Sequence, residues 1–219
     1  MLRSTSAYKP ALLLIDFLFR SHGVLLDGEP AGISLPGFLF DMNRFFQALI
    51  SRFLHDHLDG FEIQDEYRLK EFFYYDPYRN PLRRRAPVQK PDFLIRHGRR
   101  IAAILDAKYR DLWERALPPE MLYQLSLYAL GSSVRARKAV ILYPSLTSEA
   151  REQAILIREP VNGLPQAEVI LRPVNLLLME ELLRAKDATA KRRRAALADE
   201  LSFGSEAASL SVLGKTWDS

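Results

Sequence analysis

Three side chains in one short stretch have the types and spacing needed for chemistry on a phosphate ester. The stretch runs Pro91-Asp92-Phe-Leu-Ile-Arg-His97-Gly98-Arg99-Arg-Ile101-Ala-Ala-Ile-Leu105-Asp106-Ala107-Lys108. Asp106 and Lys108 are two apart on a strand, so they point to one face. Asp92 opens the preceding strand, and a tight turn at His97-Gly98 folds it back beside Asp106. Two carboxylates and one ammonium then gather where the apolar run from Ile101 to Leu105 ends, a costly arrangement without partners. A hard divalent cation such as Mg²⁺ meets that need. It would take carboxylate oxygens from Asp92 and Asp106, the Ala107 carbonyl as a third protein oxygen, and waters. Lys108 would hold and polarise a water, and metal and lysine together would stabilise charge growing on a phosphate. A plain Asp–Lys ion pair explains the triplet taken alone. Its placement on two successive strands joined by a tight turn, between helices, favours the metal site.

The elements that must position this group follow from hydrophobic period and from Pro/Gly punctuation. Residues 9–20 predict a helix and residues 23–37 a Gly- and Pro-rich loop. Asp41 to Leu58 predicts a strong helix, apolar at Met42, Phe45, Phe46, Leu49, Ile50, Phe53 and Leu54, with Asp41 as N-cap or first-turn acid. The aromatic stretch Phe61 to Tyr75 predicts a strand or bent pair of strands; Phe72 to Tyr75 with Tyr78 could stack bases, but the run reads first as core and strand end. Strands follow at 92–96 and 100–108, and a helix opened by Pro118-Pro119 runs to about Leu130. A buried strand at 138–143 is expected to end at Pro144. A hairpin at 154–172 turns at Asn162-Gly163. Residues 175–201 predict one long helix whose Lys191–Arg194 run is a solvated face, and residues 202–219 a weakly ordered tail. The fold class is α/β: a central mixed sheet flanked by helices, in the order α-β-β-β-α-β, with an N-terminal helix and a long C-terminal helix. Three regions are expected: 1–36, a helix and loop; 37–201, the domain carrying the chemistry; and 202–219, the tail.

Composition narrows the chemistry. With no cysteine, disulfides, thiolate zinc sites and a cysteine nucleophile are excluded. The net charge is +4 and the basic residues are 23 Arg and 8 Lys, a balance that permits an anionic partner. Arg83, Arg84 and Arg85 precede the acidic hairpin, and Arg96, Arg99 and Arg100 lie at its turn. Such residues suit contacts to a nucleic-acid backbone that carry no sequence information. The apolar run from Ala11 to Phe19 is too short to span a bilayer and lacks a cleavage site, so a cytoplasmic protein without a membrane partner is expected. No Gly-rich phosphate loop of the Walker type occurs, so the chain should not hydrolyse GTP or ATP by itself. His55 and His57 are two apart on a helix and make a poor metal pair.

Helix–strand–hairpin–helix–strand with Asp92, Asp106 and Lys108 resembles the PD-(D/E)xK nuclease superfamily, with its restriction-endonuclease-like core. Within it the chain most resembles the McrC nuclease subunit of McrBC 5-methylcytosine restriction systems. The resembling stretches are Gly37-Phe-Leu-Phe-Asp41-Met-Asn43-Arg-Phe45-Phe, Pro91-Asp92, Ile104-Leu-Asp106-Ala-Lys108-Tyr, Tyr123-Gln124-Leu-Ser-Leu-Tyr128-Ala and Leu142-Tyr-Pro144, spanning about residues 8–145. The resemblance implies an Mg²⁺-dependent DNA endonuclease, with Mn²⁺ able to substitute, acting in antiviral defence. It implies that Asp92 and Asp106 ligate the metal and that Lys108 orients the attacking water. It also implies that Gln124, on the helix after the lysine strand, contacts phosphate or a metal-bound water. DNA is the implied substrate and a GTPase motor subunit of McrB type the implied partner. Double-strand cutting would require two active sites, hence a homodimer or an encounter of two complexes. Two departures stand out. After Asp41-Met-Asn the family pattern usually has Phe-Glu where this chain has Phe46-Gln47, which weakens the expected hold on metal. The long N-terminal region that engages the motor has no counterpart here. A non-catalytic DNA-binding or assembly module keeping the fold, and a repair nuclease of the same superfamily, are the alternatives.

Overall fold

The computed structural model describes residues 41–69, 72–131 and 137–205. The helix expected at 9–20, the loop after it and the tail from 206 lie outside the described residues. The elements are α1 (Met42–His57), β1 (Glu62–Asp65), β2 (Phe93–His97), β3 (Arg100–Ala107), α2 (Pro119–Gly131), β4 (Lys138–Ser145), β5 (Gln153–Arg158), β6 (Pro165–Asn175), α3 (Leu176–Arg184) and α4 (Ala188–Phe203). The six strands form one mixed sheet in the order β1-β2-β3-β4-β6-β5. β1, β2 and β3 are antiparallel neighbours, β3–β4 and β4–β6 are parallel, and β5–β6 is an antiparallel hairpin.

Strand alternation sorts the apolar side chains onto two faces. Phe93, Ile95, Leu105, Ala107, Val140 and Leu142 face α1, α3 and α4, where they meet Phe46, Phe53, Met179 and Leu201. Leu94, Ile104, Ile141 and Tyr143 face α2, where they meet Leu125 and Tyr128. This is the expected α/β architecture, a mixed sheet with helices on both faces. α1 starts where the sequence placed it, because the Asp41 carboxylate accepts a hydrogen bond from the Arg44 N–H at 3.0 Å.

Four local expectations are corrected. β1 stops at Asp65 rather than continuing to Tyr75: Glu66 adopts a left-handed φ of 47°, which ends the pleat. The aromatic run after it is not core, since Phe73, Tyr74 and Tyr75 are all exposed. β4 passes through Pro144 to Ser145. Leu142 turns its backbone toward β3, accepting from the Lys108 N–H, and Pro144, two residues on, turns its nitrogen the same way, where β3 has already ended. The single long helix is two. Asp187 caps α4 through the Ala190 N–H, and Arg194 reaches back to donate to the carbonyls of Leu182 and Ala185 at the end of α3. Arg194 is therefore half-buried structure rather than solvated face, and Arg193 pairs with Glu181 at 3.0 Å. α4 also runs past 201 to Phe203, with Ser202 buried, so the first residues of the expected tail are helical.

Arg172 ties α4 to the sheet. Its guanidinium is buried, pairs with the half-exposed Glu152, and donates to the Leu201 carbonyl at 2.9 Å. Removing the charge and removing its partner should differ. Arg172→Met strips a donor from Leu201 and should cost about 1–3 kcal/mol. Glu152→Ala leaves a buried guanidinium without its carboxylate and should cost more than that, but less than the about 3–5 kcal/mol of a fully buried pair because Glu152 is half-exposed. Chemical unfolding of both variants checks the order; a milder effect from Glu152→Ala would show that the guanidinium does not depend on the pair.

Candidate active site

The site forms where β2 begins and β3 ends. The β2–β3 register pairs Phe93 with Leu105, so continuing it by one residue sets Asp92 across from Asp106. Gly98 closes the hairpin with a left-handed φ of 58°, and a bulge between Ile95 and Arg96 shifts the register by one residue, which brings Asp92 opposite Asp106 rather than Leu105. Asp92, like Leu94, and Asp106, like Ile104, project to the α2 face, and Lys108 follows Asp106 by alternation. Asp92 Oδ2 accepts from the Ala107 N–H at 2.8 Å, which fixes the carboxylate against β3. Lys108 Nζ lies 3.1 Å from Asp106 Oδ2 and 3.8 Å from Asp92 Oδ2. Asn43, in the first turn of α1, accepts from the Tyr109 N–H at 3.0 Å and so holds the chain just beyond Lys108. Phe46 packs edge-on against the Tyr109 ring at the same place.

The electrostatics are those of crowded negative charge. The Asp92 and Asp106 side chains are 14% and 5% exposed, with one ammonium between them. Burial, with the Asp106 carboxylate beside it, pushes the Asp92 carboxyl up to about 6. Burial works against the Lys108 ammonium, yet the Asp106 and Asp92 carboxylates outweigh it and hold its pKa above the ordinary value. A hard divalent cation would relieve this excess. Both carboxylates are available to it, and so is the Ala107 carbonyl: Pro91 lies across from Ala107 in the continued register and has no N–H to donate. The donor set thus fits Mg²⁺ or Mn²⁺. Among the described residues no group of three or more His, Asp or Glu side chains comes together, so the carboxylates number two.

The other residues singled out from sequence divide into two groups. Gln124 stands beside the carboxylates: its Nε2 donates to the Tyr128 hydroxyl at 2.8 Å, and Tyr128 feels Asp106, Asp92 and Lys108. Burial, joined by the two carboxylates, raises the Tyr128 hydroxyl, which keeps it protonated. Sequence reasoning gave Tyr128 no role, although its i+4 spacing from Gln124 places both on one helix face. Asn43 was likewise given no role, although it lies in the Asp41-Met-Asn43 stretch that carries the resemblance; its contact with Tyr109 is visible only in the fold. Gln47 is half-buried on α1, whose core residues pack on the opposite face of the sheet. Arg83, Arg84 and Arg85 lie on an exposed turn before Pro91. Arg99 is also exposed, but at the far end of the hairpin, seven residues of strand or about 23 Å from Asp106. A cleft of about 570 Å³ opens beyond Lys108, between Tyr109–Glu114 and Pro144–Thr147, without reaching the carboxylates.

Comparison with known proteins agrees with the earlier resemblance. A search of curated proteins finds no match. Among solved structures, one match is to a refined half-complex from a tetradecameric assembly of Thermococcus gammatolerans McrB AAA+ hexamers with bound McrC. It is 24% identical, with a TM-score of 0.43, over 74% of this chain and 34% of that one. The chain thus spans about a third of the length of the chain it matches. The family model for McrBC 5-methylcytosine restriction system components matches residues 2–144, a span that holds α1 through β4 and with them Asn43, Asp92, Asp106, Lys108, Gln124 and Tyr128. With most of its length and every residue of the candidate site inside that match, the chain belongs to the family of McrBC 5-methylcytosine restriction system components.

Proposed function

We propose that the chain is a Mg²⁺-dependent DNA endonuclease of the PD-(D/E)xK type, the nuclease component of a modification-dependent restriction system. The observation that carries this reading is Asp92 facing Asp106 with Lys108 bridging both. Asp92, Asp106 and the Ala107 carbonyl would hold the cation. When bound, it would supply Lewis-acid stabilisation of phosphoryl charge and acidify a nearby water. Lys108, kept charged by the two carboxylates, would orient that water toward phosphorus and then meet the growing negative charge. Gln124, steadied by Tyr128, would contact a phosphate oxygen through its free amide atoms. Arg83, Arg84 and Arg85 would hold the DNA backbone without reading bases.

Selectivity for 5-methylcytosine would come from a partner, and a GTPase motor subunit of McrB type is the proposed one. The proposed location is the cytoplasm. Among the described residues no helix is long and apolar enough to cross a membrane. A non-catalytic DNA-binding module is the second reading, favoured by the limit of two carboxylates at the site.

Nicking of supercoiled plasmid by the purified chain in Mg²⁺ and in Mn²⁺, with EDTA as control, tests the proposal. Metal-dependent nicking is expected. A folded chain that binds Mn²⁺ without nicking would point to a partner-gated subunit; one that does neither would favour the non-catalytic module. Lys108→Met sharpens the assignment. It should slow nicking by roughly 10²-fold or more. The same change removes a positive charge 3.1 Å from Asp106, so Mn²⁺ should bind at least as tightly as before. Parallel losses of rate and Mn²⁺ affinity would contradict the water-orienting role.

A further inference from the structure

Between β1 and β2 the chain makes a long excursion unlike the rest of the molecule. Its base is closed by an antiparallel bridge between Leu69 and Gln89. Leu69 packs on the α2-side cluster, the face that carries Asp92 and Asp106. The Phe72 ring lies where any side chain at Gly131 would project, which pins the excursion to the end of α2. Beyond that anchor the rings turn outward: Tyr74 is 80% and Tyr78 98% exposed, with Phe73 and Tyr75 partly so. The shape is nonetheless fixed. The Asp76 carboxylate accepts from the Tyr78 N–H, and the Asn80 side chain both accepts from the Arg84 N–H and donates to the Arg84 carbonyl.

Charge singles out the same stretch. Residues 72–90 hold Arg79, Arg83, Arg84, Arg85 and Lys90 against Asp76 alone, a net charge as large as the +4 of the whole chain. Asp76 is itself engaged by Tyr78 and by Arg79 at 4.0 Å. Exposed rings interleaved with guanidinium groups match an unpaired nucleic-acid strand, whose bases offer faces to the rings and whose phosphates meet the arginines. Continuous duplex would satisfy the arginines only, because its base faces are already stacked. A protein partner would favour an apolar centre with charge at the rim, and here the charges lie among the rings.

We propose that residues 72–85 form a stacking platform for unpaired bases of the DNA strand being cut. Tyr74 and Tyr78 take base faces; Arg79, Arg83, Arg84 and Arg85 take phosphates. The chain therefore engages DNA with a single-stranded stretch beside the scissile bond in preference to continuous duplex. This deepens the nuclease reading and rests on it for the location of the cut. Asp92 lies seven positions after Arg85, at most about 25 Å away, so a strand held on the platform reaches the carboxylates within about seven nucleotides.

Fluorescence anisotropy of labelled oligo-dT, and of its duplex with oligo-dA, measured on the full chain in EDTA tests the platform without cleavage. Tyr74→Ala/Tyr78→Ala should weaken oligo-dT binding at least about fivefold, the low end for one lost stack, and lower the preference for oligo-dT over duplex. Tyr74→Phe/Tyr78→Phe keeps the ring faces and should retain it. Because both tyrosines are exposed, melting should not change. Equal oligo-dT affinity for the wild type and the alanine variant would overturn the platform and leave the patch as a protein-docking surface. Equal loss toward oligo-dT and duplex would overturn base stacking. Plasmid nicking and Mn²⁺ binding on the same preparation separate the two readings: nicking without a Tyr-dependent preference sinks the platform alone, and the preference with neither nicking nor Mn²⁺ binding sinks the nuclease reading alone.

Discussion

Asp106→Asn abolishes nicking while leaving the metal-free chain at least as stable as the wild type. The rate effect follows from the proposed ligand set. One of two carboxylates is lost, and a metal's stabilisation of phosphoryl charge amounts to several kcal/mol, so nicking should fall by about 10³-fold or more. The stability effect follows from the geometry. Asn keeps the shape of a side chain that is 5% exposed and removes one of two like charges crowded against it. Lys108 retains Asp92 at 3.8 Å as its counter-ion. Most substitutions at a buried charged residue destabilise. A lost activity with an unchanged or raised melting temperature in EDTA would mark Asp106 as a residue kept for chemistry. Undiminished nicking would remove it from the active site. A collapsed melting temperature would show instead that the Asp106–Lys108 pair holds the fold.

The candidate hairpin was legible in the sequence as two strands and a turn, but its register was not. Alternation sends Asp106 and Lys108 to one face. The register of the His97-Gly98 turn would by itself set Asp92 opposite Leu105; a bulge between Ile95 and Arg96, which no local pattern announces, shifts it opposite Asp106. Helix α1 was legible because Asp41 and the three- and four-residue steps from Met42 to Leu54 agree. What was not legible depends on contacts distant in sequence. Residues 175–201 contain neither Gly nor Pro and read as one helix. The break depends on Arg194 turning back onto the end of α3, which no local pattern announces. The run Phe72–Tyr75 has strand composition, but only Phe72 reaches the rest of the fold, at Gly131; Phe73 packs edge-on against Phe72, and Tyr74 and Tyr75 stay exposed. Arg99 sits near Asp106 by topology and far from it by distance, because a hairpin places its turn opposite its open end. Tyr128 was readable from its spacing to Gln124; the contact of Asn43 with Tyr109 required the fold.

The pH dependence of the metal-free chain is the second large effect, and its sign runs against the usual behaviour of a paired carboxylate. Burial and Asp106 raise the Asp92 carboxyl from 3.8 to about 6, so the native state binds its proton more tightly than the unfolded chain does. The resulting stabilisation is complete below about pH 4, where both states are protonated, and is lost as pH rises through 6. At 1.36 kcal/mol for each pH unit, the loss amounts to about 3 kcal/mol, with little screening because the side chain is 14% exposed. Asp92→Asn removes this dependence. In EDTA, the unfolding free energy of the wild type relative to Asp92→Asn should therefore decline between about pH 4 and pH 6. Above pH 7, Mn²⁺ should restore the wild type and leave Asp92→Asn unmoved, because a cation neutralises the charge that the proton has left. A flat difference curve would mean that the two carboxylates do not share a field. The crowding that motivates a divalent cation at this site would then be absent, whatever the plasmid assay reported.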